Sequence, residues 1–239
     1  MDSCARKKGR SPSKLKGRKE SRMPPASSRD TSALFLSAMT LALPAEWTIT
    51  AHRAFYICGR AWFVWCVWWL MMAFFSKSAK RRENVWQRFE HLVPTILGFA
   101  LIFDEKQRLH WLTQAVFPDI PSIALLSVAV TILGLLLAVW ARVALGANWS
   151  GSITIKKDHQ LIRRGPYRFI RHPIYTGMLT ALLATAVAQQ QTSGLLGFAV
   201  VLVALYRKAR REESFLSQEF GEAFVAHRQH TGMFLPRWS

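Results

Sequence analysis

The chain alternates between long apolar blocks and short basic connectors. Ala54–Phe75 runs for 22 residues with one charge, Arg60, and places Trp62, Trp65, Trp68 and Trp69 on neighbouring turns. Pro121–Leu145 is 25 residues long with only Arg142, near its end. Both satisfy the roughly 20 residues that a helix needs to cross a bilayer. Three shorter blocks follow the same pattern: His91–Phe103, interrupted by Pro94, then Pro173–Gln189 and Ser193–Tyr206. Only Gln190–Thr192 separates the last two, which predicts a tight helical hairpin. Its Gly177, Ala181 and Thr185 are spaced as small residues that permit close helix approach. No stretch shows the period-two alternation of a membrane barrel, and no internal repeat is present. The pattern predicts an all-α fold: a multi-pass transmembrane helical bundle of five spans. A sixth is left open at Thr31–Ala45, which at 15 residues is short for a span.

Composition sharpens this picture. Apolar residues make up 51% of the 239 and aromatics 12%, which excludes a disordered chain. The formal charge is +18, from 32 Lys+Arg against 14 Asp+Glu, and ten of those cations fall in the first 30 residues. Segregation of charge from apolar blocks points to loops held against anionic lipid, and no nucleic acid is expected as a partner. Residues 1–30 read as a disordered basic arm, 31–119 as N-terminal transmembrane helices and 120–239 as the core. A signal peptide at the start, or a true start at Met23 or Met39, are the other readings of the arm. Loops 76–90 and 142–172 and the tail from Arg207 carry five, seven and six cations, against two in loop 104–120. The basic side is expected to face the cytoplasm. Cys4, Cys58 and Cys66 are too scattered for a disulfide framework or a zinc site.

Polar chemistry concentrates in Gly146–Gly177 and Arg207–Ser239. In the first, Gly165-Pro166 is a turn dipeptide. Arg171-His172-Pro173 stands at the start of a span, where a helix N-terminus attracts anions, and Tyr167 and Tyr175 flank it. In the second, Leu216, Phe220 and Phe224 repeat every four residues, predicting a C-terminal cytoplasmic amphipathic helix. Glu212 and Glu213 lie within two turns of the hairpin's end, where a carboxylate is normally paired or functional. His227 and His230 have no third ligand in sight, so no metal site is expected.

GPYRFIRHPIYTG (165–177), preceded by His159-Gln160-Leu161-Ile162 and followed by REESFLSQEFGEAF (211–224), resembles the isoprenylcysteine carboxyl methyltransferase family. These are integral membrane enzymes that use S-adenosylmethionine. The closing TGMFLPRW (231–238) looks like the ending of prokaryotic relatives. The resemblance covers residues 120–239. It implies a helical bundle whose cofactor pocket is formed by the last helices and the C-terminal segment. Carried over by position, the cofactor contacts fall on His159, Gln160, Leu161, Ile162, Tyr167, His172, Pro173, Ile174, Tyr175 and Glu212. Their chemistry suits the ligand: His172, Arg171 and backbone donors for its carboxylate, Glu212 for its ammonium or ribose, and tyrosine rings for its sulfonium or adenine. A substrate-contacting arginine of the eukaryotic members falls on Lys208 here, and a glutamine of the cofactor loop near Ser152. Lysine is a point charge rather than a fork, so the acceptor site departs from theirs.

The expected activity is methyl transfer from S-adenosylmethionine to a lipophilic or lipid-linked acceptor in a monomer. Holding donor and acceptor aligned in a water-poor pocket supplies most of the catalysis. A carboxylate acceptor is already ionised and needs an orienting cation, Arg171 or Lys208. An amine or thiol needs a proton acceptor, for which Glu213 or His159 stands nearest. Two other readings stay open: a phospholipid headgroup amine methyltransferase and a non-enzymatic lipid-binding protein.

Overall fold

The structure, a computed structural model, describes residues 49–74, 79–82, 85–104, 109–146, 154–156 and 161–237. The basic arm, the open sixth span at 31–45, Ser152, His159 and Gln160 lie outside the described residues. Six helices and one small ribbon make up the rest: α1 Ala51–Ala73, β1 Ala79–Arg82, α2 Val85–Phe103, α3 Pro121–Leu145, β2 Thr154–Lys156, α4 Pro173–Gln189, α5 Thr192–Phe220 and α6 Glu222–His230. α1, α3 and α5 are long and apolar enough to cross a membrane. Large apolar side chains face outward along the first two, with Phe63 71% and Leu133 64% exposed. A bilayer covers such a surface without penalty, and with these long apolar helices the bundle is that of an integral membrane protein.

Proline sets several boundaries. Pro121 and Pro173 open α3 and α4 at their first positions, where the missing N–H costs nothing. Pro94 lies inside α2, which continues through it, so the expected interruption does not divide that helix. Three further expectations are corrected. The segment from Arg207 to Phe220 is not a separate amphipathic helix but the end of α5, because nothing before Gly221 breaks the helix. The short α6 follows. The fold also carries a two-stranded antiparallel ribbon, β1 with β2, pairing Arg81 with Ile155 and Arg82 with Thr154. It ties together the two most basic internal connectors.

The third correction concerns the small-residue stripe. α4 packs chiefly along α3, and α5 along α2, while α4 and α5 share a smaller contact. A Cβ on Gly134 would stand 2.6 Å from the Gly177 carbonyl and 2.8 Å from the Ala181 nitrogen. Gly177 and Ala181 therefore serve the α3–α4 crossing rather than the hairpin. One turn deeper, Thr131 and Thr185 place their hydroxyls 3.3 Å apart. Trp62 Nε1 donates to Thr185 Oγ1 at 3.1 Å and the Cys58 thiol to Thr131 Oγ1 at 3.4 Å. These four groups join α1, α3 and α4 in an otherwise apolar core where an unpaired polar group would be costly. Arg142 closes the polar end by donating to the carbonyls of Met72 and Gly146, each at 2.7 Å.

Candidate active site

The site forms where α4 begins. Gly165, at φ +59, enters a 3-10 turn over Gly165–Arg168 with Pro166 in its first turn. This turn buries Tyr167 against Ala141 and Ile174. The chain then passes through Arg171 and His172 before Pro173 starts α4, leaving Tyr175 in its first turn. From the other side the polar end of α5 supplies Lys208, Glu212 and Glu213. Lys208 and Glu212 are four residues apart and so share a helix face.

These side chains meet. Tyr175 Oη donates to Glu212 Oε1 at 2.6 Å. His172 lies between the two carboxylates, with Nδ1 3.4 Å from Glu212 Oε2 and Nε2 3.5 Å from Glu213 Oε1. Its ring stacks parallel to Tyr175, 5.5 Å between centroids and 5° between planes. Lys208 Nζ stands 5.6 Å from the Tyr175 ring centroid. Arg171 Nε donates to Glu213 Oε1 at 2.7 Å. Glu212 keeps 22% of its side-chain surface exposed, Glu213 only 5%.

Electrostatics follow from this geometry. Burial of His172 opposes its charge, but the flanking Glu212 and Glu213 outweigh burial and raise its pKa above the ordinary 6.5. An imidazole with a carboxylate facing each nitrogen is satisfied only when both nitrogens carry protons. Burial first, and then the Glu212 charge, push the Tyr167 phenol upward, so it stays neutral.

The C-terminal segment completes the arrangement. Arg171 N donates to Gly232 O at 2.8 Å, His172 N to Met233 O at 3.1 Å, and Gly232 N to Phe169 O at 3.2 Å. Thr176 Oγ1 reaches Phe234 O at 2.8 Å. The Arg171 guanidinium also donates to the carbonyls of Thr231 and, at 3.3 Å, Arg228. A Cβ on Gly232 would collide with the Leu235 carbonyl, so only glycine fits there. The residue-by-residue reading of the sequence did not single out Thr231, Gly232 or Phe234. The available signal was the apolar Met233-Phe234-Leu235 run following a polar helix.

Among the expected residues, the structure brings together Arg171, His172, Tyr175, Lys208, Glu212 and Glu213. Pro173 and Ile174 are buried. Ile162 is half-buried and packs against the cluster of Ala141, Tyr167 and Ile174. Leu161 is half-buried. No group of three metal-ligating side chains is present among the described residues.

An integral membrane bundle with a ring-and-carboxylate cluster at the polar mouth of a helical hairpin is the class that fold and site define. Residues 126–218 match the Isoprenylcysteine carboxyl methyltransferase (ICMT) family. Protein-S-isoprenylcysteine O-methyltransferase B of Arabidopsis thaliana is 31% identical over 108 residues, 44% of this chain and 55% of that protein. A probable protein-S-isoprenylcysteine O-methyltransferase of Oryza sativa subsp. indica is 31% identical over 134 residues, 52% of this chain and 70% of that protein. A methanethiol S-methyltransferase of a Pseudomonas species is 35% identical over 72 residues, 30% of this chain and 26% of that protein. The chain belongs to the isoprenylcysteine carboxyl methyltransferase family. It spans 55% of the length of the Arabidopsis relative.

Proposed function

We propose that this chain transfers the methyl group of S-adenosylmethionine to a carboxylate on a lipophilic, membrane-associated acceptor. The observation that carries the reading is the meeting of Tyr175, His172 and Glu212, delivered by two motifs 37 residues apart between Tyr175 and Glu212. The residues fit the cofactor. The Tyr175 ring already faces the Lys208 ammonium, and a ring face that holds one cation suits a sulfonium. Glu212, partly exposed, suits an ammonium or ribose hydroxyls. Leu161 and Ile162, with His159 and Gln160 before them, would line the adenine.

When bound, S-adenosylmethionine supplies an electrophilic methyl group on a positively charged sulfur. The protein's part is to hold and orient. Lys208 attracts an acceptor carboxylate to the same ring face. Arg171, whose donors go to Glu213 and the tail carbonyls, acts as a positioning residue rather than as a second acceptor cation. Glu213 is committed to Arg171 at 2.7 Å and is 5% exposed, which argues against its use as a base. An acceptor that arrives ionised needs no base, and this favours carboxylate over amine or thiol. The bundle is read with five spans and the basic connectors, hence the site, on the cytoplasmic side.

The test is methyl transfer by the purified protein in bilayers, using labelled S-adenosylmethionine and, in separate reactions, an isoprenylated cysteine derivative with a free carboxylate, an alkyl thiol and an aminophospholipid. A methyl ester releases its label as volatile methanol in base, whereas a thioether or methylamine keeps it. Base-labile product supports the proposal. Base-stable product reassigns the acceptor to a thiol or amine. No transfer to carboxylate, thiol or amine by folded protein overturns the enzyme reading.

A further inference from the structure

A second polar feature lies beside the ionic cluster and shares no residue with Tyr175, His172 or the two carboxylates. A cleft of about 410 Å³ opens between the segment leading to α4 and the face of α6, lined by Arg163, Arg168, Ala226, His227, His230 and Thr231. Among the described residues no carboxylate lines it. Arg163 and Arg168 are exposed, and His230 with them, whereas His227 is only 9% exposed. Arg163 commits one N–H to the Ala223 carbonyl at 2.6 Å, which anchors the guanidinium to α6 and leaves further donors of its fork. Arg168 holds its guanidinium 5.7 Å from the Phe169 ring centroid.

The cleft is lined by two guanidinium groups and two imidazoles. Burial first, and then the charges of Arg163, Arg171 and His230, lower the pKa of His227. Arg163 and Arg168 form no ion pair with a carboxylate among the described residues, and such cations are stabilised by an anion from outside the chain. Two guanidinium forks on the segment leading to α4 match tetrahedral phosphate oxygens. The cleft also lies at the polar end of the bundle, beside the first turn of α4, where lipid headgroups are found in any bilayer. Exposed Val225 on α6 and Phe169 add apolar surface next to the cationic groups.

We propose that this cleft binds a phosphate-bearing anion, held by Arg163 and Arg168 with His227 and His230 as further donors. The phosphate belongs either to an anionic lipid headgroup or to a soluble phosphate ester. The site is independent of the methyl-transfer reading and stands or falls separately from it.

Calorimetric titration of the full chain in a neutral detergent tests the proposal with three probes: dihexanoyl phosphatidic acid, dihexanoyl phosphatidylcholine and inorganic phosphate. Saturable binding of the phosphatidic acid is expected, with none by the choline lipid over the same range. Arg163→Gln and Arg168→Gln are each expected to weaken it about tenfold, the loss of one charge-assisted contact. Arg53→Gln, in the first turn of α1, leaves it unchanged. Arg168 donates no hydrogen bond to a described residue, so its replacement keeps the fold, and an unaltered melting temperature verifies this. Equal affinity for inorganic phosphate assigns the soluble source, and binding of the lipid form alone assigns the headgroup. Absence of saturable binding, or full retention of it in both arginine variants, overturns the proposal. Displacement of the phosphate probe by S-adenosylmethionine overturns the site's independence, making the cleft one end of the cofactor pocket.

Discussion

Tyr175 gives its phenolic hydrogen to Glu212 at 2.6 Å, joining the first turn of α4 to the polar end of α5 across 37 residues of sequence. The bond orients a ring and a carboxylate together. Tyr175→Phe keeps the ring and removes the bond. Hydrogen bonds to charged groups contribute about 1.5–3 kcal/mol, so the affinity for S-adenosylmethionine is expected to fall by about ten- to a hundredfold, read by calorimetry. Tyr175→Ala removes the ring as well and is expected to abolish binding. Equal affinities for wild type and both variants would sink the assignment of Tyr175.

Stability should carry a pH signature from His172. Its pKa is raised in the folded protein, because Glu212 and Glu213 outweigh the opposing effect of burial. A raised folded value means the contribution is fully present below the unfolded pKa, near 6.5, and is lost as pH climbs through the folded value. The melting-temperature gap between wild type and His172→Gln is therefore expected to be widest at acid pH and to narrow above neutrality. A gap that does not vary with pH would contradict this.

Arg171 links Glu213 to the tail carbonyls, with side-chain exposures of 10% and 5% for the pair. Arg171→Ala leaves the buried Glu213 carboxylate with only the longer His172 contact, at a cost of about 3 kcal/mol, and it also unfastens residues 228–234. Faster tryptic cleavage at Arg228 than in wild type is the expected readout. Unchanged cleavage would show that backbone bonds alone hold the segment.

At the α3–α4 crossing, Gly134→Ala would place a methyl 2.6 Å from the Gly177 carbonyl and 2.8 Å from the Ala181 nitrogen. Backbone cannot yield as a side chain can. Overpacking of this kind typically costs about 1–3 kcal/mol, and a lower melting temperature is expected. Gly59→Ala has nothing within 4 Å and serves as the neutral control.

Much of the bundle was legible because two independent signals coincided. α3 and α4 span Pro121–Leu145 and Pro173–Gln189, the limits read from the sequence, since proline marks each start and apolar length marks the rest. The apolar pattern ends α5 at Tyr206, because the RKARREE run looks like an exit from the bilayer. Lys, Arg and Glu are nevertheless good helix formers, and the helix continues through them to Phe220. The stripe Gly177, Ala181, Thr185 announced a close crossing without naming the partner, because small residues specify distance and not identity. In the site, His172, Tyr175 and Glu212 were visible as residue types in unusual places. The docking of Gly232 and Met233 onto Phe169–His172 was not, because it runs through backbone hydrogen bonds that carry no side-chain pattern.

The hydroxyls of Thr131 and Thr185, with Trp62 and Cys58, act as a rotational index for the bundle. In hydrocarbon there is no water to replace a lost partner, so α1, α3 and α4 cannot turn about their own axes one at a time. Thr185 sits ten residues along α4 from Tyr175, about 15 Å at the helical rise. The heading of the Tyr175 ring toward Glu212 is thus set from the buried interior of the bundle, well away from any group that would touch a cofactor.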